Sequence, residues 1–193
     1  MAQGNRIVVI LGSIREGRMN DRVAAWATGQ LRMHGFLPDL LDPADPEILP
    51  VQTGDKPAIE HLRQRMGNAD GFVIVTPEYN HSAPGPLKTL IDSVKDGWIA
   101  RPVGLISYGG ISGGLRAIEA LRPVLAELHA VTLRDTVSFA APWNRFDETG
   151  RITEPTDAKA AETAMTVFSR RLHWWADALN DARTARPFDQ EFA

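Results

Sequence analysis

Three stretches of the chain are apolar without alternation: RIVVIL at 6–11, GFVIVT at 71–76 and PVGLIS at 102–107. A strand with one wet face alternates apolar and polar residues, so unbroken Val- and Ile-rich runs of this length predict strands covered on both faces. Two weaker stretches, GFLPDLLD at 35–42 and VTLRDTVSF at 131–139, read as strands nearer the sheet edges, where Pro38 is tolerated. Between these runs the period becomes helical. Val23, Ala27 and Leu31 recur every fourth residue, and Trp26 widens their face. Asn20 is placed to cap this helix, with Asp21 at its positive end. Further helices are expected over 58–67, after Pro57 and ending at Gly67, and over 86–95, 113–129 and about 156–182. Pro123 is expected to kink or split the 113–129 helix. Met165, Phe168, Leu172, Trp175 and Leu179 form the apolar face of the last.

Strand and helix alternate about five times, which predicts an α/β fold: a doubly wound parallel sheet with helices on both faces, in a single domain over 1–193. Ligands of such sheets sit beyond the carboxyl ends of the strands, near the point where strand order reverses. The loops leaving those ends are 12–19, 77–85 and 108–113. Two further long loops, 42–57 and 141–155, have the length of binding elements or lids.

Composition removes several function classes. The sequence has no cysteine, which excludes disulfides, thiolate chemistry and Cys-based metal or iron–sulfur sites. Its five histidines, at 34, 61, 81, 129 and 173, are scattered, so a zinc site is not expected. A formal net charge of -3 does not suit a nucleic-acid binder. The apolar run near the N-terminus is too short for a signal peptide or a membrane span, and a cytoplasmic protein without membrane partners is expected.

The loops then carry the chemistry. LGSIREGRMN at 11–20 places Gly12, Ser13, Arg15, Gly17, Arg18 and Asn20 between a strand and a helix. Gly12 and Gly17 have P-loop spacing, but Arg18 and Met19 stand where Lys and Ser/Thr belong; Ile14 breaks the Rossmann G-x-G. What remains is a helix N-terminus with a hydroxyl, an amide and Arg15 as counter-charge, a combination suited to a terminal phosphomonoester. The second loop offers Pro77, Glu78, Tyr79 and Asn80, groups suited to a planar heteroaromatic. His81 reads as a loop residue. In the third, SYGGISGG at 107–114, Tyr108 is placed to lie beside such a ring, and four glycines allow close backbone approach. The same residues fit a second pattern. Gly110 to Gly114 match the G-x-S-x-G nucleophile elbow, so Ser112, with Asp135 or Asp157 and then His173, follows the chain order of an α/β serine hydrolase.

Together the three loops resemble those of the NAD(P)H-dependent FMN reductase family of flavodoxin-like proteins, which includes quinone, azo-dye and chromate reductases. GSIREGRMN, PEYN at 77–80 and SYGGISGGLRA at 107–117 carry the resemblance, which spans about 6–140. It implies a flavodoxin-like five-stranded sheet in the order 2-1-3-4-5, a bound FMN, and NADPH or NADH as hydride donor. Ser13, Arg15 and Asn20 would hold the FMN phosphate in a loop completed by Gly17 and Arg18; many family members carry Ser where this chain has Arg18, so Arg18 is expected either to touch the phosphate or to face solvent. Pro77, Glu78, Tyr79 and Asn80 would line the isoalloxazine ring, and Tyr108, Gly109 and Gly110 its other edge. The flavin carries the redox chemistry, so no side chain is assigned as acid or base. A ping-pong reaction is implied, with a small-molecule acceptor such as a quinone, azo dye, free flavin or metal oxyanion. So is a homodimer or homotetramer, for which Trp98, Trp174 and Trp175 are candidate contacts. A non-enzymatic electron carrier of flavodoxin type is the alternative within the same fold; such carriers are usually strongly acidic, and -3 favours the enzyme.

Overall fold

The computed structural model describes residues 4–188. Along them run β1 (Arg6–Leu11), α1 (Asn20–Met33), β2 (Leu37–Leu41), α2 (Lys56–Gly67), β3 (Gly71–Pro77), α3 (Gly85–Ser93), β4 (Pro102–Gly109), α4 (Leu115–Glu127), β5 (Val131–Thr132), β6 (Val137–Ala140) and α5 (Pro155–Ala185). The strands pair in parallel in the order β2-β1-β3-β4-β5, with β6 further along the same edge of β4. This is the expected flavodoxin-like order. The chain leaves β1 in one direction and β3 in the other, so a crevice opens between the loops that follow them.

The unbroken apolar runs have the predicted cause. Ile7, Val9, Leu11, Val73, Val75 and Ile106 meet α1 and α5, whereas Val8, Ile10, Phe72, Ile74, Val103 and Leu105 meet α2, α3 and α4. Both faces of the central strands are therefore covered. Among the described residues, no helix is long and apolar enough to cross a membrane.

The structure departs from expectation in four places. The stretch at 131–139 is two strands: between the Val103–Thr132 and Ile106–Val137 pairs, β4 advances three residues while its partner advances five. The surplus is expelled at Arg134, whose side chain is 94% exposed. Pro123 does not split α4; it is exposed, and the Glu119 turn whose carbonyl it leaves free faces water as well. Asn20 is not a cap, since Met19 holds that position and Asn20 begins the helix with its side chain fully buried. Trp98 is core: it is fully buried, and its Nε1 donates to the Ile91 carbonyl at 3.2 Å. Trp174, by contrast, is 60% exposed.

The two long loops are pinned. Within 141–155, Phe146 and Ile152 form a bridge and are buried, with the Phe146 ring edge-on to Phe139 at 4.9 Å. The 42–57 segment contains a 3-10 turn, and Asp55 caps α2 by accepting from the Ala58 N–H at 2.9 Å.

Candidate functional site

The carboxyl ends of β1, β3 and β4 bring the three predicted loops together. Gly12 continues the ladder, donating its N–H to the Val75 carbonyl at 2.8 Å. It lies so close to β3 that a Cβ there would come within 2.9 Å of the Thr76 Cα, which is why the position takes glycine. Ser13 is 1% exposed, and its Oγ makes a 2.9 Å hydrogen bond with the Tyr79 hydroxyl. The Arg15 guanidinium lies over the Tyr79 ring, 3.6 Å from its centroid. Gly17, with φ +66°, turns the exposed tip of the loop.

Asn20 is the most informative residue of the first loop. It is fully buried, and neither its amide nitrogen nor its carbonyl oxygen has a protein partner. A buried, unpaired amide costs about 1–3 kcal/mol per unmet group, so such a residue at a helix N-terminus signals a polar ligand. The Ser13 hydroxyl in the same loop can donate to such a ligand when the Tyr79 hydroxyl donates to it. This donor set fits a phosphomonoester, as FMN would present.

The second loop is a tight hairpin. Tyr79 and Ser82 exchange both backbone bonds, at 2.9 and 3.1 Å, around Asn80 (φ +49°) and His81 (φ +73°). Two successive left-handed residues make a type I′ turn, a conformation that Asn and His tolerate better than most residues. Pro77 ends β3 opposite Tyr108 of β4. Between Ser13–Arg15, Tyr79–Asn80 and the start of α3 at Ala83–Pro86 lies a cleft of about 280 Å³.

The third loop is latched to the second. The Glu78 carboxylate, 9% exposed, accepts from Ser112 Oγ at 2.6 Å, from Arg116 Nη1 at 2.9 Å and from the Arg116 N–H at 3.2 Å. Burial alone would push this carboxyl up; the bonds from Ser112 and Arg116 outweigh it and hold the group below its ordinary value. Gly109 and Gly110 follow β4, with open space around Gly110 and the Gly109 carbonyl accepting from the Ala141 N–H at 2.8 Å.

Three sequence assignments come out differently. Tyr108 does not present its ring beside the cleft: it is 5% exposed, packed in the α1/α5 layer, with its hydroxyl unpaired. Burial pushes that phenol up, so it stays neutral. Arg18 is engaged elsewhere, with Nη1 donating to Asp42 Oδ1 at 2.9 Å and Nε to Asp21 Oδ1 at 2.9 Å. The hydrolase triad does not assemble. Ser112 lies at the carboxyl end of the sheet, whereas His173 bonds the His34 carbonyl at 2.8 Å and contacts Asn5, just before β1, at the opposite end. Asp157 pairs instead with Arg145 at 3.1 Å, and Asp135 lies nearest Arg134 and Arg171. Among the described residues there is no metal-binding cluster. Sequence reasoning missed Asp42 and Arg116, because each partner is distant along the chain.

The chain as a whole is similar to known proteins. The protein named probable NADPH:quinone oxidoreductase 2 of Oryza sativa subsp. japonica is 30% identical over 182 residues, covering 86% of this chain and 90% of its own. The quinone reductase of Escherichia coli (strain K12) is 34% identical over 148 residues, covering 69% and 76%. The solved structure of FerB, a flavoenzyme NAD(P)H:(acceptor) oxidoreductase from Paracoccus denitrificans, matches with a TM-score of 0.71 at 22% identity, covering 90% of this chain and 98% of that one. That likeness establishes the fold. The model of the NADPH-dependent FMN reductase family matches residues 5–144, nearly three quarters of the chain, and the protein belongs to that family.

Proposed function

We propose that this protein is an FMN-dependent oxidoreductase that passes reducing equivalents from NAD(P)H to small acceptors, with quinones as the first class to test. The observation that carries the reading is the Asn20 side chain, buried at the N-terminus of α1 with both polar atoms unpaired. Together with the family membership, it supports the first loop as the seat of the FMN phosphate. Relatives named for quinone reduction support the choice of acceptor.

The residues divide the work. Asn20, Ser13 and the first N–H groups of α1 bind the phosphate, and Arg15 supplies counter-charge at the mouth. Tyr79 and Asn80, held by their hairpin, and the backbone of Gly109 and Gly110 border the ring. Glu78 does not face the cleft as a base; it ties the two ring-bordering loops together through Ser112 and Arg116. FMN, when bound, supplies the hydride chemistry. A cleft of about 280 Å³ is small for two further ring systems, so we read donor and acceptor as using it in turn. We also read the protein as a cytoplasmic homodimer or homotetramer. Exposed Trp174 and Trp143, at 60% and 57%, support the assembly.

The test is spectroscopic. Protein reconstituted with FMN should show a flavin spectrum, lose it on anaerobic addition of NADPH or NADH, and regain it on addition of a benzoquinone. A flavodoxin-type carrier would bind FMN but would not be bleached by the nicotinamide alone. Absence of FMN binding would overturn the reading altogether.

A further inference from the structure

Apart from the contacts of Ser13 and Arg15 with Tyr79, the segment from Ser13 to Met19 has little to hold it in shape. Arg15, Glu16 and Gly17 are exposed, and Gly17 lies at φ +66° with nothing around it. Arg18 is different. Its side chain is only 9% exposed. Nη1 donates to the Ser13 carbonyl and, at 2.9 Å, to Asp42 Oδ1. Nη2 donates to Asp42 Oδ2 and lies 2.8 Å from Asp21 Oδ1, to which Nε also donates at 2.9 Å. Four of the five guanidinium N–H groups donate within the protein and the remaining one faces Asp21, so the group is turned away from a ligand.

Those acceptors belong to three separate pieces of the fold: the first residues of the loop, the first turn of α1, and the end of β2. Asp42 is itself fixed, since its Oδ1 accepts the Ala44 N–H at 2.8 Å. Arg18 thus closes the loop on itself, from residue 18 back to residue 13, and anchors the closed loop to the neighbouring strand. Turning the Ser13 carbonyl toward Arg18 fixes the peptide that carries the Ser13 hydroxyl.

We infer that Arg18 is a positioning residue for the phosphate of the flavin nucleotide, acting through a clasp on Ser13 and Asp42 and not by touching the anion. The inference rests on the FMN reading given above. It makes an unusual demand of Asp42. This carboxylate lies near an anion site, where on charge alone its removal should help binding. If the clasp is what matters, its removal hurts.

The experiment measures affinity for FMN and for riboflavin, which lacks the phosphate, by flavin fluorescence quenching in wild type, Asp42→Asn, Arg18→Ala and Arg18→Lys. Asp42→Asn and Arg18→Ala should each weaken FMN binding about tenfold or more, the scale of a lost charge-assisted bond, with riboflavin affinity unchanged. The double variant should be no worse than the poorer single, because both changes open one clasp. Arg18→Lys keeps the charge but lacks the fork, and should not restore FMN binding. It also serves if Arg18→Ala fails to fold. Tighter FMN binding by Asp42→Asn would show Arg18 freed to meet the phosphate and would overturn the inference. So would wild-type affinity in Arg18→Lys, or an equal loss for FMN and riboflavin. Failure of wild type itself to bind FMN would instead overturn the functional reading.

Discussion

Replacing Gly12 by Ala is the sharpest probe of how the phosphate loop is seated. The added Cβ would lie 2.8 Å from Thr76 Oγ1 and 2.9 Å from both Thr76 Cα and Cβ. Carbon atoms in contact prefer about 3.5–4.0 Å, so the overlap is roughly 0.6 Å or more, against backbone as well as side chain. Thr76 is not free to yield: it is fully buried, and its hydroxyl donates to the Pro77 carbonyl at 3.0 Å. Gly12 is not free either, because its N–H bonds Val75 O at 2.8 Å. Relief means either strained packing, at about 1–3 kcal/mol, or loss of that ladder bond, at about 1 kcal/mol. A destabilisation of about 1–3 kcal/mol is expected. The loop that follows shifts with Gly12, and a displacement approaching 1 Å can cost about a hundredfold at a site built on position. Urea unfolding of the apoprotein gives the first quantity, and FMN titration gives the second. Stability within about 0.5 kcal/mol of wild type together with unchanged FMN affinity would refute the close-approach reasoning.

Two further outcomes follow from the site. Asn20→Leu replaces an unpaired buried amide by an apolar side chain of similar size; the apoprotein should melt no lower than wild type while FMN binding is lost, as read by calorimetry with and without FMN. The Glu78 carboxyl is held below its ordinary value by Ser112 and Arg116, so its contribution to stability is complete above the unfolded carboxylate range and fades as pH falls through the folded value. Glu78→Gln should therefore flatten the melting temperature's dependence on pH as pH falls below the unfolded carboxylate range, and an unchanged acid limb would refute the latch.

The central strands were legible because burial on both faces removes polar residues from them, a signal that sits in consecutive positions. The break between β5 and β6 was not, because VTLRDTVSF reads well as one strand and its two surplus residues exist only relative to the register on β4. Arg18 shows the same limit. The loop composition marked it as site chemistry, but its partner Asp42 is 24 residues away, and only the pairing of β1 with β2 makes them neighbours. Tyr108 was misdirected for a different reason. Side chains alternate along a strand, and Ile106 and Tyr108 share the α1/α5 layer opposite Val103 and Leu105. Two-residue parity, applied to the end of β4, would have turned the ring inward; its loop-like neighbours concealed that. The hydrolase pattern at 110–114 matched in order along the chain and failed in space, since nothing in a linear spacing tells which end of a parallel sheet a distant helix residue will reach.

Unmet polar groups are not confined to the site, and the contrast among them is instructive. Thr28 and Ser169 each leave one buried hydroxyl unpaired, well inside α1 and α5, where the backbone groups around them are already bonded along the helix. Asn20 differs in leaving a whole amide, donor and acceptor together, at the one point of α1 where N–H groups are also unclaimed. Hydroxyls inside a helix, such as those of Thr28 and Ser169, point to no more than local packing, whereas a complete amide beside unclaimed helix N–H groups supports the proposed polyatomic ligand. On the proposed reading, FMN phosphate would take up both groups of Asn20, so ligand occupancy and fold stability would be coupled through one residue. By mass action, FMN at about a thousand times its Kd would raise stability by about 4 kcal/mol. On the same reading, part of that gain would come from the pairing of Asn20, which would tie the loop's chemistry to the stability of the helix it opens.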